Sequence, residues 1–457
     1  LKKIRTLCFL VGGLLLNLSQ VISAKAAVRP QNNISYESYQ LLYDKNDAAV
    51  RNDDAFGLSL AWSYEKRNWQ ANFAGQARFY QQSNDFGISV PEAYLRWNHP
   101  TRHIKATFGR QILNWNPTEE FWLQSQVNTR QGQSLMSESQ EGLTGINVAW
   151  HNDYFATEIF GSVTYIPRLT SAWRERDGHL YNTAYWEVAP PESTTIVGKE
   201  VPISYHLRQP RVRDILWRPA VGIHLGPQWG SPTRQSSLKA YAMIKPENTL
   251  RASADGHLDT GNAQDVPPQF MAEVGVVVHY QNIYGIDWHQ KFDQWDFNLG
   301  LRATDPHQDP ARKRLANLVN VSQKENAYLQ FDTRQKRHSY LDALLAYGGE
   351  YWNWAVSYIR YLRGHKDNQE MLTSPTEWEN AVGGKISYAF SDTWQTTAKT
   401  QYDLARHDLL LRGELNINFL KSVAVTMGME LLKAGKNGYW YRYRQKSTVY
   451  SSLAYTF

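Results

Sequence analysis

Over most of the chain beyond residue 34, apolar and polar side chains alternate with a period of two. In Trp69 to Tyr80 one face carries Trp69, Ala71, Phe73, Gly75, Ala77 and Phe79, and the other carries Gln70, Asn72, Gln76, Arg78 and Tyr80. Trp394 to Leu404 repeats the pattern with Gln395, Thr397, Lys399, Gln401 and Asp403 on its wet side. Leu409 to Phe419 sets Leu409, Leu411, Leu415, Ile417 and Phe419 against Arg412, Glu414, Asn416 and Asn418. Successive side chains of a strand point to opposite faces, so each segment predicts a strand between an apolar and an aqueous medium. About twenty segments qualify, from Ile34 to Tyr43 through Val449 to Phe457, with Phe270 to Tyr280 and Ala327 to Arg334 among them.

Strands of a soluble sandwich alternate too, so composition has to decide. Mean hydropathy is −0.55, too polar for a bundle of membrane helices but ordinary for a barrel, in which only alternate residues meet lipid. The 17 Trp and 27 Tyr exceed what a soluble core needs, and rings with a polar tip suit the interfacial girdles of a membrane barrel. Lys2, Lys3 and Arg5, then the apolar stretch Leu7 to Leu18, then Ala24-Lys25-Ala26 read as a secretory leader. The expected division is a signal peptide over residues 1–26 and a single barrel domain over 27–457. The only cysteine, Cys8, falls in the leader, so the mature chain is expected to have no disulfide. Four cations and no acids lie in that leader, and removing them from a net charge of +6 leaves +2. Such a balance gives no reason to expect a nucleic-acid partner.

The expected fold is therefore all-β: a transmembrane, antiparallel, up-and-down β-barrel of about 18 strands, with 16 or 20 allowed. Short connections such as Lys66-Arg67-Asn68, His99-Pro100-Thr101, His151-Asn152-Asp153 and Ser391-Asp392 suit periplasmic turns. Long ones suit extracellular loops: Asn114 to Glu141, Pro167 to Arg218, Pro246 to Pro268, Asp305 to Lys324 and Arg363 to Glu377. Counting back from a periplasmic Phe457 puts Asp305 to Lys324 on the periplasmic side, in conflict with its length, so either one strand is miscounted or this basic stretch, with Arg312, Lys313 and Arg314, faces the periplasm.

The final segment, Val449-Tyr450-Ser451-Ser452-Leu453-Ala454-Tyr455-Thr456-Phe457, resembles the closing strand of a Gram-negative outer-membrane β-barrel. Phe108-Gly109-Arg110-Gln111, followed by Trp115, resembles a pattern of porin-like and alginate-export-type barrels. The resemblance implies localisation in the Gram-negative outer membrane, with lipid and lipopolysaccharide as partners, and an Arg110 that projects into the lumen near a constriction. Strict alternation from Ile104 puts Arg110 on the lipid face, where it costs about 2 to 4 kcal/mol at mid-depth. A bulge at Gly109 would turn it inward, and a rim position would let it snorkel to headgroups.

The predicted lumen face is densely charged. Its cations are Arg78, Arg96, Lys105, Lys239, Arg302, Arg334, Lys385, Lys399 and Arg412; its anions are Glu92, Glu158, Asp296, Asp332, Asp342, Asp403, Glu414 and Glu430. A barrel of about 18 strands is too wide for side chains alone to fill, so a water-filled passage narrowed by inward-folded loops is expected. The aromatics Trp173, Tyr185, Trp186 and Trp217 of the Pro167 to Arg218 loop suit stacking on a sugar face. Scattered histidines such as His224, His279 and His289, and the acids Asp44, Asp47, Asp53 and Asp54, lack metal-ligand spacing, and no catalytic triad stands out. The expectation is a non-enzymatic channel without cofactors, passing polar, saccharide-like solutes by porin-like diffusion or by polysaccharide export with periplasmic partners. The alternative is a non-conducting scaffold or adhesin whose loops bind a partner.

Overall fold

The computed structural model describes residues 32–42, 52–124, 126–131, 139–168, 173–182, 190, 192–196, 198–231, 233–259, 269–307, 328–332, 337–363, 377–420, 422–435 and 438–457. The predicted leader lies outside them. Eighteen strands form one sheet: Asn33–Leu41, Asn52–Lys66, Trp69–Tyr80, Asp85–Asn98, Ile104–Gln111, Leu143–His151, Phe155–Ser162, Ala220–Ser231, Arg234–Pro246, Tyr280–Phe292, Trp295–Pro306, His338–Gly348, Trp352–Arg363, Asn380–Ala389, Trp394–Asp403, Leu409–Leu420, Val423–Lys433 and Thr448–Thr456. Each pairs antiparallel with its neighbour. The first closes on the last, with Tyr36 opposite Leu453 and Asn33 opposite Thr456. Closure satisfies every ladder and leaves no open edge, the condition for a sheet to cross hydrocarbon.

The faces divide as the alternation predicts. Ile34, Phe56, Trp62, Phe86, Ile146, Ile159, Leu301, Val356, Met427 and Leu453 are exposed apolar side chains on the outward face. An apolar belt on the outside of a closed barrel is the mark of an outer-membrane protein. Much of the tryptophan excess lies in a girdle where the short turns are: Trp69, Trp150, Trp288, Trp295, Trp352 and Trp394 are exposed there. Trp295 meets Tyr347 and Trp354 with ring centroids 5.1 and 5.3 Å apart.

One end of the barrel carries only short turns, and residues 32 and 457 lie there too. Each long connection leaves from the opposite end. Two segments predicted as barrel strands belong elsewhere. Gln269–Val277 and Tyr328–Asp332 join Ser193–Ile196, Lys199–Leu207 and Arg251–Asp259 in a five-stranded sheet assembled from three long loops, with a parallel pairing of Ile203 and Phe270. Val201, Ile203, Phe270 and Ala272 form its own small core, which explains why these loop strands read like wall strands. Taking the two away from about twenty candidates leaves the observed eighteen. It also removes the conflict at Asp305 to Lys324, where the alternation counts one strand too many: the connection containing it leaves from the end with the other long loops, and residues 308–327 lie outside the described ones.

Gly109 has φ +118°, and a Cβ there would meet the Ala93 carbonyl oxygen at 2.3 Å. The register on both sides of Gly109 runs without a shift, so no bulge is present. The left-handed glycine does the turning, because only glycine takes that conformation without steric cost. Gly109→Ala is expected to lower stability by about 1 to 3 kcal/mol, read as a drop in thermal unfolding temperature in detergent. An unchanged transition would show that the backbone there relaxes freely.

Candidate functional site

The chain that follows the strand ending at Gln111 does not leave the barrel; it turns in and runs along the inner wall as a strap. Leu113 is buried, its N–H bonded to Asn128 Oδ1 at 3.0 Å. Trp115, buried, packs on His224 and Tyr241 at 5.5 and 6.3 Å, and its Nε1–H donates to Glu158 Oε2 at 2.7 Å. Thr118–Phe121 make one helical turn after Pro117, with Glu119 and Glu120 at its N-terminal end. Proline before a threonine and two acids is a helix-start signal, so Trp115-Asn116-Pro117 carried a local structure that its reading as plain loop missed.

Beyond that turn the strap is latched to the wall by side chains from distant strands. Thr118 Oγ1 donates to Asp342 Oδ1 at 2.5 Å. Asp342 Oδ2 accepts from Arg302 Nε at 2.5 Å, and Arg302 Nη1 donates to Gln124 Oε1 at 2.9 Å. Arg302 and Asp342 are both fully buried. Trp122 Nε1 donates to Ser357 Oγ at 2.8 Å, Trp378 Nε1 to the Trp122 carbonyl at 2.9 Å, and Gln401 Nε2 to the Phe121 carbonyl at 2.6 Å. Lys245 Nζ donates to the Gln126 and Val127 carbonyls at 3.1 and 2.7 Å. Glu119 accepts the Gln126 and Val127 N–H groups, and burial raises its pKa above the usual carboxylate range against the pull of Lys245. These contacts run over strands from Phe155–Ser162 to Trp394–Asp403, about half the circumference, and narrow the passage toward the other half.

Arg110 is buried, and its Nη2 donates to Glu141 Oε2 at 2.8 Å. Glu141 also accepts the Ser89 hydroxyl and belongs to a hairpin, Thr129–Gln131 with Ser139–Glu141, that continues the strap. Arg110 therefore neither snorkels at the rim nor lines open water: it fastens the inward hairpin. The resemblance had implied a lumenal arginine; the partner carboxylate 31 residues away lay beyond a sequence reading.

The other predicted lumen residues fall into ion-paired and unpaired sets. Arg78 Nε meets Glu37 Oε1 at 3.3 Å. Arg412 meets Glu414 at 2.6 Å and Glu430 at 3.9 Å, and Tyr450 donates to Glu414 at 2.7 Å. Glu92 accepts from Asn72 at 2.8 Å, and Asp296 is bonded to His289 Nε2 at 2.9 Å. Arg96 donates to Thr107 Oγ1 at 3.1 Å and lies over the Tyr94 ring. Among the described residues, no carboxylate comes within 4.0 Å of Arg96, Lys105, Lys239, Lys385 or Lys399. Lys399 instead sits over the Phe121 ring of the strap at 5.1 Å. Register places Lys385 directly opposite Lys399, and Lys399 opposite Arg412, all on the inward face. Of the loop aromatics, Trp217 is 63% exposed and Trp173 half-buried. Tyr185 and Trp186 lie outside the described residues, as does Arg334, so the four are not seen to converge.

No known family's sequence profile matches this chain, and no curated protein does. Solved structures do resemble it along nearly its whole length. OccK9 (OpdG) of Pseudomonas aeruginosa is 9% identical, with a TM-score of 0.47 over 95% of this chain and 98% of that one. OccAB4 of Acinetobacter baumannii is 10% identical, with a TM-score of 0.46 over 94% and 98%. OpdK of Pseudomonas aeruginosa, solved with vanillate, is 9% identical, with a TM-score of 0.44 over 94% and 98%.

Proposed function

We propose that residues 27–457, after removal of a leader, form an outer-membrane channel for small polar solutes that favours anions. The observation that carries this reading is the inward row Lys385, Lys399, Arg412 on three adjacent strands. Like charges directly opposite each other across a strand pair are destabilising. Only Arg412 of the three has a carboxylate within 4.0 Å among the described residues. A transient anion in the lumen offsets the repulsion and is selected by it, as rings of cationic side chains select anions in other pores. The row lies beside the strap, where the passage is narrowed and the field of each charge is least diluted by water.

This narrows the saccharide-like expectation to solutes that carry a carboxylate or phosphate. The export alternative rested on the Gly109-Arg110-Gln111 pattern, which serves here to seat the inward hairpin, and on the aromatic loop, of whose four named rings Tyr185 and Trp186 lie outside the described residues; diffusion through an open lumen needs no periplasmic partner. The test is the zero-current potential of the purified barrel in a planar bilayer under a KCl gradient. The expected sign is that of chloride. A cation-selective potential overturns the reading, and a barrel silent at every voltage supports the scaffold alternative instead.

A further inference from the structure

The lumenal row continues past Lys385 around the wall. Followed from strand to strand it reads Lys291, Asp296, Ala346, Ala355, Lys385, Lys399. Two alanines thus separate a carboxylate from an ammonium along one register row across the sheet. Their methyl groups form the floor of a cavity of about 610 Å³ near the turn end, whose walls include Asp296, Lys385, Ser387 and Gln395. That volume suits a small-molecule site. Strands lie about 4.8 Å apart, so Asp296 and Lys385 stand on columns about 14 Å apart. Subtracting the reach of the two side chains leaves on the order of 5 to 8 Å between the charges.

The two ends of the recess have opposite character. Asp296 is oriented by His289 through one oxygen while its side chain stays 47% exposed. Asp293 lines the same end and adds a second carboxylate against the single ammonium of Lys291. At the far end Lys385 lines the recess, with Lys399 opposite it on the next strand over the Phe121 ring, and neither has a carboxylate within 4.0 Å among the described residues. Asn353, Ser387 and Gln395 supply neutral hydrogen-bonding groups between them.

We infer that this recess binds a zwitterionic solute whose ammonium and carboxylate are separated by a short chain, as in an ω-amino acid or a dipeptide. The ammonium meets Asp296, the carboxylate meets Lys385 with Lys399 reinforcing the positive field from the next strand, and the intervening chain lies on Ala346 and Ala355. A simple anion engages one end only, and an α-amino acid is too short to reach both. The inference rests on the anion-preferring reading, because Lys385 and Lys399 serve both.

The test compares the flux of 6-aminohexanoate, hexanoate, hexylamine and glycine into liposomes containing the full-length barrel, alongside KCl zero-current potentials. The expected result is a several-fold faster flux of 6-aminohexanoate than of the other three. D296N is expected to bring 6-aminohexanoate down to the level of hexanoate while its potential moves further toward chloride, which shows that the variant is folded and inserted. A355L, which fills the floor, is expected to slow 6-aminohexanoate as well. Wild-type flux of 6-aminohexanoate no faster than that of hexanoate, or a preference that survives D296N, overturns the inference. Chloride selectivity with equal fluxes sinks the zwitterion site alone, whereas a cation-selective potential sinks the reading beneath it.

Discussion

Reversing Lys385 and Lys399 together (K385E/K399E) is expected to turn an anion-preferring channel into a cation-preferring one. Both side chains face the lumen, directly opposite one another, so the double change replaces two positive charges by two negative ones at one level of the pore. We expect the anion-to-cation permeability ratio to change about tenfold or more, equivalent to ~1.4 kcal/mol, read as a change of sign in the zero-current potential. The effect should be largest in dilute salt, since the Debye length grows from about 3 Å at 1 M to about 10 Å at 0.1 M. The single variant K385E separates function from stability. It sets opposite charges across the strand pair, so it should stabilise the barrel by about 0.2 to 1 kcal/mol while weakening anion preference. A wild-type potential in the double variant would mean that ions pass elsewhere in the lumen.

Removal of the Asp342 carboxylate is expected to have the largest effect on stability. Asp342 holds Arg302 with both side chains fully buried, and it also accepts the Thr118 hydroxyl of the strap. D342A takes from a buried guanidinium its only carboxylate within 4.0 Å among the described residues, a loss of about 3 to 5 kcal/mol, and should unlatch the strap so that single-channel conductance rises. Thermal unfolding in detergent reads the first effect and bilayer recording the second. The double variant R302M/D342L removes both charges. Well-packed apolar replacements of a buried ion pair are often neutral in stability, so its unfolding temperature should recover. Thr118 and Gln124 still lack their partners on the wall in it, so its conductance should remain high. Recovered stability with wild-type conductance would assign the latch to Trp115 and Trp122 instead.

Much of the wall was legible in the sequence because a strand between lipid and water has one apolar and one polar face, and that shows as a period of two. Trp394–Asp403 and Leu409–Leu420 lie where the alternation put them, with Lys399 and Arg412 inward. The same signal misled at Gln269–Val277 and Tyr328–Asp332. A loop strand that packs one face on a small core alternates just as a wall strand does, and nothing local separates lipid from a protein core. The site was legible only in part. Lumenal charges could be placed by parity, but which carboxylate meets which cation depends on residues far apart in sequence, as with Arg302, Asp342 and Thr118. Arg110 defeated parity for a different reason, since the positive φ at Gly109 reverses the direction of the next side chain.

By itself, then, the amino-acid sequence determined the medium on each face, the closed all-β plan and the charged character of the interior. Each of these follows from side-chain chemistry taken two residues at a time. Only the tertiary structure decided that eighteen strands close the wall, that the chain after Gln111 folds back inside, and that Lys385 and Lys399 stand opposite one another with no carboxylate within 4.0 Å among the described residues, Lys385 beside a floor of alanines. Those outcomes depend on register, which is set jointly by every neighbouring strand around the ring. A shift of one residue at any pairing would rearrange the row while leaving each strand's own alternation unchanged.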